Sequence, residues 1–367
     1  MVRIRTRAGH VVELNRYFSA DAHQPRPESW PEDRATAEAA AASSSSGASS
    51  SIYRELATAA ESGWDFSSRW IRRGNDLSNS QPTRVVPVDL NAMLFRMESN
   101  LHRAHSVVAL TAATAASSGS EPADGRQRAE HHSSRADLYE AAAARRAAAI
   151  EAVLWQESDG RWRDAWLREA GEEGAAAAAG VHEVEPPDAD GGPRPDAVFL
   201  SDFLPMWAGL ASQRERSSRV LASFLSSGLI SAGGVSTSNL VSGQQWDSPN
   251  AWPPLQAMIV EGLEKAAFAV APMPRQGASE FLGAGTAAAA TGSDAQQVTG
   301  PRLAFEIARL YLSTARAAFE ASGFMFEKYD ATALAKGGGG GEYEQQVGFG
   351  WSNGAALYLL KRYGAAL

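Results

Sequence analysis

No cysteine occurs in the 367 residues, so the fold uses neither disulfides nor thiolate-held metal, and the redox compartment stays open. An excess of basic residues is missing too. The 34 Lys and Arg stand against 42 Asp and Glu, a net charge of −8, which argues against nucleic acid, whose binders present basic faces. No run approaches the roughly 18 apolar residues that a membrane-spanning helix needs. Residues 1–17 alternate basic and apolar side chains without the apolar core of a signal peptide. The expectation is a soluble chain with no membrane segment and no nucleic-acid partner, its compartment and oligomeric state left unknown. Phosphate loops, dinucleotide fingerprints, HExxH pairs and GxSxG elbows are absent as well. His131 and His132 fall in a low-complexity stretch and read as solvated side chains rather than metal ligands, so no metal and no cofactor are expected.

What is present is helical periodicity. Leu90, Met93, Leu94, Met97, Leu101, Val107 and Val108 repeat at helix spacing over residues 89–110, with Asp89 after Pro87 as the N-cap. Similar runs cover residues 136–155, 214–225, 254–269, 303–321 and 354–363, for roughly seven or eight helices in all. Strand alternation is confined to residues 11–14 and 85–88. Four stretches rich in Ala, Ser, Gly or Glu, near residues 39–51, 117–132, 171–193 and 272–300, bury too little apolar area to offset chain entropy and read as mobile surface inserts in a single domain.

Aromatic and charged residues gather between the predicted helices, where a helical barrel builds its site from loops at one end. In residues 60–70, Asp65 lies between Trp64 and Phe66 and follows Gly63, which lets a ligand approach the backbone. Burial there disfavours the ionised form, as a general acid requires, although an N-cap aspartate in an aromatic loop has the same local sequence. In residues 24–30, Pro25 and Pro27 stiffen an extended segment from which Arg26 and Glu28 project on the same side, either to grip sugar hydroxyls or as a surface ion pair. In residues 242–254, Trp246 and Trp252 alternate with Gln245, Asp247 and Asn250, flat faces and polar rims that suit a pyranose or anchor the next helix. Glu327 follows a helix and is a candidate base, and Gly337 to Gly341 ahead of Glu342 read as a lid or a linker.

Taken together these segments resemble the trehalase family. QQWDSPNAWPP carries the most specific likeness, with PRPESW, ESGWDFSSRW, PVDLNAML, EKYD and GGGGGEY followed by GFGWSNG in the family's order. The resemblance implies an all-α fold, an (α/α)6 toroid-like helical barrel. It implies an inverting glycoside hydrolase that splits α,α-trehalose into two glucose molecules, with Asp65 as general acid and Glu327 as general base. Substrate contacts would come from Arg26, Pro27, Glu28, Gly63, Trp246, Asp247, Trp252 and Glu342. Inversion calls for carboxyl groups roughly 6.5–9.5 Å apart, leaving room for the attacking water.

A PGGRF-type segment that opens the family pattern is missing, as is the Arg-Ser-Gln block after it, since residues 79–82 follow the Asp65 motif instead of preceding Arg26. The barrel is therefore expected to be incomplete at the N-terminus, and the chain alone to show little or no activity. Two alternatives remain at this point: an inactive trehalase fragment that binds sugar or a partner, and a helical-barrel hydrolase of another α-glucoside.

Overall fold

The computed structural model describes residues 1–43, 49–72, 74–117, 125–168, 180–186, 196–266, 269–272, 297–342 and 344–367. Among them lie nine α-helices: α1 Trp30–Ser43, α2 Ser49–Glu61, α3 Val88–Ser117, α4 Gly125–Leu154, α5 Leu204–Ala208, α6 Arg214–Leu225, α7 Pro253–Lys265, α8 Gly300–Ser322 and α9 Gly350–Tyr363. The strands are short. Val2–Arg5 pairs antiparallel with Val11–Leu14 and parallel with Val181–Glu183, and the rest form two-stranded ribbons. The helix-dominated, all-α expectation holds.

Local chemistry sets the helix ends. Thr299 caps α8, accepting a hydrogen bond from the Arg302 N–H, and Pro301 stands in the first turn where its missing N–H costs nothing. Gly323 stops the helix at φ +76°, its N–H returning to the Phe319 carbonyl. Leu303, Ile307, Tyr311 and Ala315 line its buried face against α7 and α9. Each large side chain buried there contributes about 1.5–3 kcal/mol.

α3 and α4 form an antiparallel pair, and 30 residues make each of them about 45 Å long. The pair is rooted at the start of α3 and the end of α4. There Arg146 holds Glu98 at 2.9 Å and donates to Asn15, and Arg96 lies over the Trp207 ring and on Glu261. Beyond Glu98 only Ala112 of α3 is buried, and Met97, Val107 and Leu110 face outward.

Several expectations need correction. Asp89 lies inside the first turn of α3, not at its cap, because the helix begins at Val88 and the carboxylate is engaged by Arg69. The strand expected over residues 85–88 stops at Val86 for the same reason. The inserts are shorter than their composition suggests. Residues 39–43 continue α1, 49–51 open α2, 125–132 open α4, 181–183 join the first sheet, and 297–300 form a strand and the start of α8. Alanine-rich sequence is helix-competent once a neighbour supplies packing. Residues 117, 180, 184–186 and 272 are described too, and residues 44–48, 118–124, 171–179, 187–193 and 273–296 lie outside the described residues.

Candidate active site

α2 ends at Glu61, and two residues on Gly63 takes φ +77° and donates its N–H to the Ala60 carbonyl. This left-handed turn directs Trp64, Asp65 and Phe66 away from the helix, and Gly63 itself remains exposed. Ser67 then caps a short 3-10 turn, Ser68–Trp70.

A second segment, more than a hundred residues on, clasps this loop. Asp247 is fully buried and accepts from Ser67 Oγ at 2.9 Å, the Ser68 N–H at 2.7 Å, Ser238 Oγ at 2.9 Å and Ser242 Oγ. The Trp246 N–H donates to the Phe66 carbonyl at 3.0 Å, and the Gln245 amide donates to the Asp65 carbonyl. Asp247 was expected to touch substrate, but both of its oxygens are spent on the protein. Trp252 is 1% exposed and Trp246 7%. The Trp246 ring stacks on Trp252 at 3.8 Å and on Trp64 at 5.2 Å, which leaves it no free face for a sugar. These three residues build the wall behind the site rather than its surface.

On the opposite side of the chain order, Arg26 is buried. It forks onto Asp33, with Nη2 to Oδ1 at 2.7 Å and Nε to Oδ2 at 3.0 Å, while Asp33 also accepts the Arg26 N–H. Nη2 continues to Glu342 at 3.1 Å, and the guanidinium lies 5.0 Å from the Phe66 ring centre. Ser29 Oγ donates to the same Glu342 oxygen at 2.8 Å. The segment is not extended as expected. Pro27–Ser29 is a 3-10 turn, so Arg26 points inward while Pro27 and Glu28 lie exposed. Asp33 and Ser29 were missed. The signal was available, because a carboxylate in the first turn of the helix that follows the Arg-Pro pair is well placed to hold the guanidinium.

Glu327 is 1% exposed. Its N–H donates to the Gln346 carbonyl, its own carbonyl accepts from Trp351 Nε1, and its carboxylate meets Lys328 Nζ at 3.2 Å. The antiparallel pairing of Asn250–Ala251 with Tyr329–Asp330 brings this segment against the Trp246 loop. Asp65, half-buried, feels Arg26, Glu342 and Glu327. Burial raises its pKa, the largest effect. Its own N–H and the Arg26 charge pull it down, and Glu342 and Glu327 push it back up. The net direction is upward, so Asp65 keeps its proton to higher pH than an ordinary aspartate. The structure thus brings Arg26, Glu327 and Glu342 within electrostatic range of Asp65.

The glycine run does not behave as a loose lid. Asn250 brackets Gly339, donating to its carbonyl at 2.8 Å and accepting its N–H at 3.0 Å, and the Gly338 N–H donates to the Lys328 carbonyl. A Cβ on Gly338 would stand 2.4 Å from Asn250 Oδ1 and 2.9 Å from Lys328 Cγ, whereas one on Gly339 meets nothing within 4 Å. The glycines are there for close approach. Gly338→Ala is expected to lower unfolding free energy by about 1–3 kcal/mol through overpacking, with Gly339→Ala near neutral, as denaturant midpoints will show.

Among the described residues no group of three or more His, Asp or Glu is placed to hold a metal ion. His132 lies on α4, where its Nδ1 is 2.8 Å from that of His105. A cavity of about 720 Å³ near Ser68, Arg69, Asp164 and Asp202 is separate from the carboxylate group, since neither Asp65 nor Glu327 lines it. Among the described residues no helix is long and apolar enough to cross a membrane.

Known proteins resemble this chain over almost its whole length. A family model described as Trehalase matches residues 3–364. The trehalase of Arabidopsis thaliana is 33% identical over 364 residues, covering 99% of this chain and 47% of that protein. The periplasmic trehalase of Pseudomonas aeruginosa is 35% identical over 363 residues, 97% of this chain and 51% of that protein. The chain therefore spans about half the length of the relatives it matches. Among solved structures, the neutral trehalase of Saccharomyces cerevisiae aligns with a TM-score of 0.48 and 18% identity, over 84% of this chain and 42% of that one. With the family match running almost end to end, the chain belongs to the trehalase family.

Proposed function

We propose that this site hydrolyses α,α-trehalose to two glucose molecules with inversion. The observation that carries the reading is Asp65, a half-buried carboxyl held toward its protonated form beside the carboxylates Glu327 and Glu342 and the cation Arg26. Asp65 gives its proton to the bridging oxygen as the bond from C1 to that oxygen breaks. Water adds to C1 from the opposite face and passes a proton to Glu327. Arg26 and Glu342 grip hydroxyls of the same glucosyl unit, and the Arg26–Asp33 fork fixes the guanidinium before substrate arrives. In this reading the chain is one catalytic domain, and Glu28, Pro27 and Gly63 form the exposed rim of the site. Attack on one anomeric carbon with inversion releases one α- and one β-glucose, which proton NMR resolves early in the reaction.

The assay is glucose release from trehalose by the purified chain, with maltose and nigerose as controls. Turnover with that anomeric pattern supports the reading, and at the same time refutes the expectation that the chain alone is inactive. Failure both to turn over and to bind trehalose sinks it.

Glu342→Gln is expected to cut kcat/KM about 10- to 100-fold, the size of one lost charge-assisted hydrogen bond of about 1.5–3 kcal/mol. Its pH profile carries a further sign. Glu342 raises the Asp65 pKa, so neutralising it lets Asp65 ionise at lower pH. Because the acid must be protonated to act, the basic limb of the profile moves to lower pH.

A further inference from the structure

Lys328 is fully buried, one of the largest side chains without solvent contact. A buried ammonium persists only where acceptors replace its water. Lys328 Nζ lies 3.2 Å from Glu327 Oε2 and 3.1 Å from Gln245 Oε1, and 5.0 Å from the centre of the Trp252 ring. Gln245 is itself buried, and its amide nitrogen donates to the Asp65 carbonyl. The acceptor end of this amide is fixed by the ammonium and the donor end by the carbonyl, so its orientation is chemically determined.

Resting on the hydrolase reading above, we infer that Lys328 and Gln245 are positioning residues: a buried ammonium–amide bridge that sets the Glu327 carboxylate, as an anion, at a fixed place relative to the loop carrying Asp65. The polar path runs from the Asp65 carbonyl through the Gln245 amide and the Lys328 ammonium to the Glu327 carboxylate. Its surroundings hold it still. The Gln245 carbonyl accepts from Asn250 Nδ2 and Trp252 Nε1, and the Lys328 carbonyl accepts from the Gly338 N–H and Gln345 Nε2. Gly338 lets the chain pass over the lysine stem with no side chain in the way. An inverting hydrolase needs its two carboxyl groups held apart by the width of a water and a sugar ring. Neither bridge residue has to meet the sugar to impose that spacing.

The other charges bearing on the site are Arg26 and Glu342, which act on Asp65. They are untouched by substitutions in the bridge.

The test is Lys328→Met, which keeps most of the stem, alongside Gln245→Leu, which leaves the Lys328–Glu327 pair intact. Lys328→Met is expected to lower kcat on trehalose at least 100-fold with KM within threefold, and to move the acidic limb of the pH profile to higher pH, since a carboxylate without its ammonium is protonated more readily. Lys328→Arg restores the limb. Gln245→Leu is expected to lower kcat about tenfold with the limb unmoved. A merely structural role would reduce the folded fraction without moving either limb. An unchanged kcat in both variants overturns the inference.

Carbon-13 NMR of the Glu327 carboxyl, identified by its loss in Glu327→Gln, gives the same answer without turnover. Its titration moves to higher pH in Lys328→Met if the bridge acts, and an unmoved titration overturns the inference. A wild-type chain that ignores trehalose fails the hydrolase reading, and this titration then still decides the bridge. Should Lys328→Met fail to fold, Gln245→Leu decides by displacement of the Asp65 carboxyl resonance, whose constancy would overturn the proposal.

Discussion

Asp65→Asn lowers kcat on trehalose by roughly 10²- to 10⁴-fold, the span typical of losing a positioned proton donor. The amide keeps the shape of the side chain but has no proton acidic enough to give the departing glucose. Asp65 is half-buried and Asn is isosteric with it, so the thermal midpoint should stay close to wild type and isolate the chemical loss. Glu327→Gln should cost a similar factor in rate but also destabilise the fold, because it strips the buried Lys328 of its anionic partner. A second substrate separates the two roles. α-Glucosyl fluoride leaves without protonation, so Asp65→Asn should recover much of its rate on it while Glu327→Gln, still unable to activate water, should not. Equal rates for Asp65→Asn and wild type on trehalose would remove Asp65 from the mechanism.

The largest stability effect is expected at Arg69. Its buried guanidinium takes Asp89 with two hydrogen bonds of 2.8 Å and Asp164 with bonds of 2.6 and 2.9 Å, and lies 4.6 Å from the ring centres of both Trp64 and Trp70. It joins the Asp65 loop to the first turn of α3 and to the strand segment near Trp166. Removing the cation leaves the buried Asp89 and the half-buried Asp164 without their shared counter-charge. Breaking a buried pair in this way costs about 3–5 kcal/mol, and here two pairs break together, so Arg69→Met should reach at least that range in equilibrium denaturation. The charge is the cause rather than the shape, so adding Asp89→Asn and Asp164→Asn to Arg69→Met should recover part of the loss. A loss below 1 kcal/mol would show that the cluster is solvated.

Periodicity disclosed the helices whose apolar faces are regular. α6 is found where residues 214–225 predicted it, and α8 extends the predicted 303–321 by three residues at its start and one at its end. α1 escaped because alanine dominates it and its apolar face is weak, whereas α2 has a regular buried face of Ile52, Leu56 and Ala59 but opens inside the serine-rich stretch near residues 39–51. The site was legible as residue identities but less so as roles. Asp65, Glu327, Arg26 and Glu342 were named from motif and order, and the structure gathers them. Trp246, Trp252 and Asp247 were expected on the sugar because aromatic and acidic side chains suit one. They are equally what a buried wall requires, and only their long-range partners distinguish the two. Lys328 drew no attention, since a lysine beside a glutamate is ordinarily a solvated pair, and no local pattern reports that both are buried. The glycines posed the same ambiguity between mobility and close approach, which Asn250 resolves.

The contact between Arg26 and Glu342 spans 316 positions. A ribosome adding about 5–20 residues each second takes roughly 16–63 s to cover that interval. Throughout that interval, the arginine fork and the aspartate loop wait without the glutamate that joins them. Until Glu342 has been added, the group of charges around Asp65 lacks the carboxylate that joins it to Arg26 and Ser29.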